Sequence, residues 1–230
     1  MAPIRLITVD LDDTLWPGMP TIMAAEQALY DWLGANAGRI TEAHDIASLR
    51  LQRLKLRRQR PDIAHDLTAL RLISLRRLLV QFGYAEALAE EAMALFLEHR
   101  NRVAPYADAS PALKALGEKY RLVSLTNGNA DVEQTPLRGH FHRSFKAEDV
   151  GAAKPEPALF RAALEWAGVE PAAALHVGDE PSLDVDAARR LGMYAVWVNR
   201  DGSGWPRELR PPQTEVRDLH TFYSWLEASQ

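Results

Sequence analysis

The chain of 230 residues contains no cysteine, which excludes disulfides, thiolate-held zinc or iron–sulfur centres and a cysteine nucleophile. It lacks any apolar run near the roughly 20 residues that a bilayer-spanning helix needs. Charge of one sign is not in marked excess: 27 Lys and Arg stand against 31 Asp and Glu, a net −4. No overall basic field therefore draws the chain to nucleic acid or to a membrane surface. Internal repeats and low-complexity tracts are missing too. The strand-like run after Met1-Ala2-Pro3 leaves no room for a secretory leader, so a soluble, cytoplasmic protein is expected. With 47% hydrophobic and 25% charged residues, the chain suits one large domain carrying a smaller one.

What is present is an alternation. Residues 4–9 (I-R-L-I-T-V) form a short apolar, β-branched run, the mark of a buried strand, and 122–125, 174–177 and 194–198 share its character. The first three end in polar clusters: Asp10-Leu11-Asp12-Asp13-Thr14, Thr126-Asn127-Gly128-Asn129 and Gly178-Asp179-Glu180. Helical spacing is expected from Pro155 to Trp166 and from Ser182 to Leu191, the second closed by Gly192. Strands alternating with helices predict an α/β fold with a parallel, Rossmann-like sheet. In such sheets ligands bind beyond the carboxyl ends of the strands, where the polar clusters fall.

Residues 17–105 have a different texture. Stretches 21–35, 41–59, 66–82 and 85–102 read as helices, with breaks expected at Gly34/Gly38, Pro61 and Gly83. This predicts a helical insert over 17–105 within a discontinuous α/β core made of 1–16 plus 106–230. The insert is mildly basic, with 12 Lys and Arg against 10 Asp and Glu.

Asp10 and Asp12 lie two apart at a strand end, where alternate side chains share a face. Like charges so close repel unless a cation lies between them or one holds a proton. An isolated Asp there is as readily a turn or cap residue. Asp179 and Asp184 bring further carboxylates, and the thiol-free set Asp10, Asp12, Asp179 and Asp184 suits a hard cation such as Mg²⁺. Thr126 and Asn127, on a flexible Gly turn, offer donors to an anion. Lys154, just before a helix, would add positive charge.

Together these residues make the chain similar to the haloacid-dehalogenase-like hydrolase superfamily, and the helical insert resembles the small bundle cap of its first cap class. The resemblance implies a Mg²⁺-dependent phosphatase acting through an aspartyl phosphate. It makes Asp10 the nucleophile, Asp12 the general acid/base, Thr126 and Lys154 phosphate-binding groups, and Asp179 a magnesium ligand. Asp184 supports or joins the metal shell, directly or through water. Dehalogenases of the superfamily resemble this chain at Asp10 but lack the second aspartate, because expelled halide needs no proton. Finer resemblance, in Asp10 to Trp16, Thr126 to Ala130 and Leu175 to Asp179, is to bacterial phosphatases of a flavin precursor, FMN and sugar phosphates. The expected partner is a small-molecule phosphate ester, with neither nucleic acid nor membrane, and the chain a monomer or homodimer. The alternatives are a 2-haloacid dehalogenase and a non-catalytic protein that binds a phosphorylated ligand or partner.

Other residues stay open. Arg50, Arg53, Arg57 and Arg60 fall along one helical stripe, which would steer an anionic substrate or form a solvated face or subunit contact. Trp16 lines a pocket or fills core, and Trp32 reads as core. His140 and His142 have no third ligand, so a loop or strand edge is expected there rather than zinc.

Overall fold

The computed structural model describes residues 3–229. Met1, Ala2 and Gln230, the ends of the expected core domain and the start of the expected leaderless N-terminus, lie outside the described residues. Six strands, β1 (Leu6–Val9), β2 (Arg121–Thr126), β3 (Arg143–Lys146), β4 (Ala174–Gly178), β5 (Tyr194–Val198) and β6 (Glu215–Val216), form one sheet in the order β3-β2-β1-β4-β5-β6. Every pairing is parallel. After β1 the chain builds outward to β2 and β3, then returns to the other side of β1 for β4. That reversal splays the connections apart and opens a crevice beyond the β1 and β4 carboxyl ends.

Helices α1 (Gly18–Asn36), α2 (Gly38–Ala43), α3 (Ile46–Gln59), α4 (Leu67–Gln81) and α5 (Leu88–Arg100) lie between β1 and β2 in the chain, followed by α6 (Ala109–Gly117). Further along come α7 (Ala147–Val150), α8 (Ala158–Ala167), α9 (Ala187–Arg190) and α10 (Leu219–Ser229). Among the described residues no helix is long and apolar enough to cross a membrane.

The period-two pattern of the strands feeds two apolar layers. Ile7, Val9, Leu122 and Val177 pack with Leu113, Leu116, Phe222 and Leu226 of α6 and α10. Leu6, Val123 and Leu125 pack with Leu159, Phe160 and Ala163 of α8. A third cluster is drawn from 25–96 alone and holds Leu29, Leu33, Leu78, Leu79 and Phe96. It gives the helices between β1 and β2 an apolar interior of their own.

Several boundaries depart from the sequence pattern. Gly34 lies inside α1, and the chain breaks instead at Ala37 (φ −147°). The helix expected over 41–59 is split at His44, where the backbone is extended, and restarts behind Asp45, whose Oδ1 accepts from Ser48 N at 2.7 Å. Asp66 caps α4 in the same way, accepting from Ala69 N. A local side-chain acceptor that satisfies an orphan N–H outweighs an unbroken apolar period. The helix expected from Pro155 begins at Ala158, and the one expected from Ser182 opens as a wide π-turn over Pro181–Asp186 before α9. Trp32 is half-buried against the third cluster. His142 accepts from Leu122 N at Nδ1, and His140 bonds Ser110 Oγ, so the pair closes a loop at the sheet edge.

Asp45→Ala and Asp66→Ala should each lower stability by about 1 kcal/mol, the usual worth of such a cap. Urea unfolding should show a reduced midpoint with an unchanged slope.

Candidate active site

The crevice collects residues from five separate stretches of chain. Asp10 leaves β1 with its N–H on Val177 O of β4 (2.9 Å), which ties the two central strand ends together. Asp10, Asp179 and Asp184 offer carboxylate oxygens that all lie within 4.8 Å of one another. Lys154 answers them. Its Nζ donates to Asp10 Oδ1 (2.5 Å), Asp184 Oδ1 (2.6 Å) and Leu125 O (3.1 Å), so every ammonium proton has an acceptor in a site that is almost closed to water. Asp10 Oδ2 has no such donor among the described residues.

The loop behind each group explains its position. The Asn127 amide donates to Lys154 O (2.9 Å) and accepts from Lys154 N (2.7 Å). Asn127, expected at a bound phosphate, turns its side-chain amide to the Lys154 backbone and so positions that lysine. Thr126 Oγ1 accepts from Gly128 N at 2.9 Å, which leaves its hydroxyl proton to donate. Asp179 accepts from Thr14 Oγ1 at 3.0 Å, and its carbonyl is held by Trp197 Nε1.

Asp184 reaches the cluster from the π-turn, which aims it back over β4. Its Oδ2 accepts from Glu180 N at 3.0 Å. A Cβ on Gly178 would meet Asp184 Cγ at 2.4 Å, so only glycine fits beneath it. Asp184 Oδ1 also takes a bond from His176 Nε2 (3.1 Å). His176, in mid-strand, gave no functional signal in the sequence. Burial lowers its pKa, against the pull of Asp184. A neutral ring facing a carboxylate carries its proton on Nε2, so Nδ1 accepts from Thr8 Oγ1 at 2.8 Å.

Asp12 departs from the expected four-carboxylate metal set. Its carboxylate stands apart from the cluster, accepting from Arg100 Nη2 (2.5 Å) and from Trp16 Nε1 (2.9 Å). The reason is the tight turn in which Asp13 takes a left-handed φ of 60° and Trp16 bridges back to Asp12. Trp16 is thus both fully buried core and a hydrogen-bond donor to the site. Arg100, almost wholly buried at the end of α5, was invisible in sequence. A Cβ on Gly128 would come within 2.8 Å of Asp12 Oδ2 and 3.2 Å of Arg100 Nη2, so this turn too depends on a bare backbone.

The electrostatics are those of an under-neutralised acidic site. Burial raises the pKa of Asp10 well above its usual value, with Lys154 opposing and Asp184 and Asp179 adding to it. Burial, Asp184 and Asp13 push Asp179 up to about 7. Burial acts against Asp184 as well, yet Lys154 and His176 hold it below its usual value. For Lys154, Asp10 and Asp184 outweigh desolvation and keep the ammonium charged. One lysine, bonded to two of three clustered carboxylates, leaves room for a further cation, and an all-oxygen set suits a hard divalent one.

Asp179 gives this a measurable sign. A carboxyl whose folded pKa (about 7) exceeds its unfolded value stabilises the fold while protonated and loses that contribution as pH rises toward 7. In chelator, stability should therefore fall between pH 5 and pH 7.5, and Asp179→Asn should flatten that slope in thermal melts.

Comparison with known proteins fits this geometry. A family model described as haloacid dehalogenase-like hydrolase matches residues 4–192. The 5-amino-6-(5-phospho-D-ribitylamino)uracil phosphatase YigB of Escherichia coli is 32% identical, covering 97% of this chain and 96% of that protein. The phosphoserine phosphatase of Thermus thermophilus is 32% identical over 96% of this chain and 98% of its own length. A crystal structure described as 2-haloacid dehalogenase from Pseudomonas syringae superposes with a TM-score of 0.92 at 38% identity, covering 99% of this chain and all of that one. The chain belongs to the haloacid dehalogenase-like hydrolases.

Proposed function

We propose that the protein is a Mg²⁺-dependent phosphatase of small phosphorylated metabolites, with Asp10 as nucleophile. The observation that carries this is the convergence of Asp10, Asp179 and Asp184 on Lys154, with Asp12 set apart on the neighbouring turn. Asp10, Asp179 and Asp184 would hold the ion; what Mg²⁺ supplies when bound is positive charge beside the phosphoryl oxygens. Asp10 Oδ2 attacks phosphorus in line while Lys154 fixes Oδ1, and the bond to the leaving oxygen breaks. Asp12 delivers a proton to that oxygen. It then takes a proton from the water that attacks the aspartyl phosphate, releasing phosphate and restoring Asp10. Thr126 and Lys154 offset charge on the group in transfer, which is most of what a protein contributes to this reaction. Asn127 keeps Lys154 in place.

The helical segment 17–105 serves as the cap over this core of 1–16 plus 106–230, excluding water and shaping the leaving-group side. The names of the two bacterial relatives, phosphatases of a flavin precursor and of phosphoserine, support a small phosphorylated metabolite as substrate. On the sequence resemblance we extend this to FMN or a sugar phosphate and to a cytoplasmic monomer or homodimer. The likeness to a protein described as a 2-haloacid dehalogenase favours a second reading, attack of Asp10 on carbon. Asp12 weighs against it, since a departing halide needs no proton and an alkoxide does.

With p-nitrophenyl phosphate and Mg²⁺, inorganic phosphate should be released, and chelator or Asp10→Asn should abolish it. Asp12→Ala should cost an alkyl phosphate about 10²–10⁴-fold in kcat and p-nitrophenyl phosphate less, because nitrophenolate leaves without help. Chloride released from 2-chloropropionate in place of phosphate from any ester would favour the dehalogenase.

A further inference from the structure

Two cavities flank the carboxylate cluster. One, about 440 Å³, is lined by Asp13, Asp179, Glu180 and Arg200 among others, and is acidic. The other, about 370 Å³, lies between the helices and the β2 turn, and Asp12 and Gly128 form part of its wall. Asp12 must touch the leaving oxygen if it is to protonate it, so the leaving group belongs in this second cavity. This deduction rests on the phosphatase reading above.

The charge of that cavity is one-sided. Arg50, Arg53, Arg57, Arg71 and Arg100 line it, against Asp12 and Glu26 alone. Glu26, buried on α1, takes short bonds from Arg50 and Arg53, so the expected stripe of α3 arginines is neither a bare solvated face nor wholly free. Arg60 turns away to Asp62. Arg71 is only 7% exposed, and its guanidinium carbon lies over the Phe96 ring, 3.5 Å from the centroid. Arg71 Nε and Nη1 and Arg100 Nη1 are buried without a hydrogen-bond acceptor, with Arg71 Nη1 3.7 Å from Glu26 Oε1, beyond hydrogen-bond reach. Unpaired buried guanidinium N–H groups cost free energy that an anion would recover, and desolvation with Arg53 nearby already depresses the Arg71 pKa. Leu54, Leu70 and Phe96 supply an apolar wall.

We infer that this cavity takes a leaving group with an anionic end of its own, a carboxylate or a second phosphate, held by Arg71 and the free edge of Arg100. The substrate is then a phosphate monoester of an organic acid or of an already phosphorylated alcohol, which narrows the range above and sets it against the flavin precursor and FMN, whose leaving alcohols carry neither group. Arg57, exposed at the cavity and bonded to Ala64 O, adds charge at its edge.

The test compares kcat/KM with Mg²⁺ for matched pairs: 3-phosphoglycerate against glycerol 3-phosphate, and fructose 1,6-bisphosphate against fructose 6-phosphate, with p-nitrophenyl phosphate as reference. The anion-bearing member of at least one pair should be preferred at least about tenfold, as a charge-assisted contact allows, and the pair concerned tells carboxylate from phosphate. Arg71→Met should reduce that preference at least about fivefold. Arg57→Gln, a surface change that keeps the fold, should reduce it about threefold and carries the test if Arg71→Met fails to fold. Preferences below tenfold in both pairs, or one untouched by both variants, overturn the inference while p-nitrophenyl phosphate is still hydrolysed. Failure to release phosphate from every ester, the reference included, overturns the phosphatase reading itself.

Discussion

The site depends on one ammonium group. Lys154 places a single positive charge between Asp10 and Asp184, two buried carboxylates from distant parts of the chain. Without it, three acidic groups within a few ångström would have to bind protons or separate, since desolvation and mutual repulsion act in the same direction. Much of the surrounding architecture serves to keep that charge in position: the Asn127 amide clamps the Lys154 backbone on both sides, and Leu125 O takes its third proton. The hydrogen-bonded chain from Thr8 through His176 to Asp184 then extends the same network down into the sheet.

The sheet was readable where strands are buried on both faces. Four of the six strands, β1, β2, β4 and β5, are apolar runs because both sides meet helices. The edges were not: β3 is Arg-Ser-Phe-Lys and β6 only Glu-Val, sequences that become strands by pairing with a neighbour rather than by preference of their own. Of the site, Asp10, Asp179, Asp184 and Lys154 were legible because each ends or follows an element and together they make one chemistry. The direction of the Asp12 side chain was not, because it is set by Trp16 and by Arg100, 88 positions away in sequence. His176, Arg71 and Arg100 were hidden for a shared reason. A polar residue within a regular helix or strand looks ordinary until the fold gives it a buried partner, or withholds one.

The helices between β1 and β2 contribute charge as well as cover. Glu26 gathers Arg50 and Arg53, with Arg71 at 3.7 Å, around one carboxylate. That carboxylate limits the repulsion of crowded guanidiniums without cancelling it. The result is a pocket wall whose sign opposes that of the carboxylate cluster a short distance away. On the inference above, an anion carried by the leaving group is favoured on the arginine side of Asp12.

Asp12 is held from both crossings between the two parts of the chain. Trp16 lies just before α1 and Arg100 ends α5, the last helix of segment 17–105, and each grips a different oxygen of the same carboxylate. A tilt of the helical part against the sheet cannot leave that carboxylate undisturbed, because the two grips would pull unequally. On the proposed mechanism, proton delivery and the seating of the helices are in this sense a single mechanical coordinate. A half-seated molecule would keep Asp10 in order on the sheet but turn Asp12 out of aim.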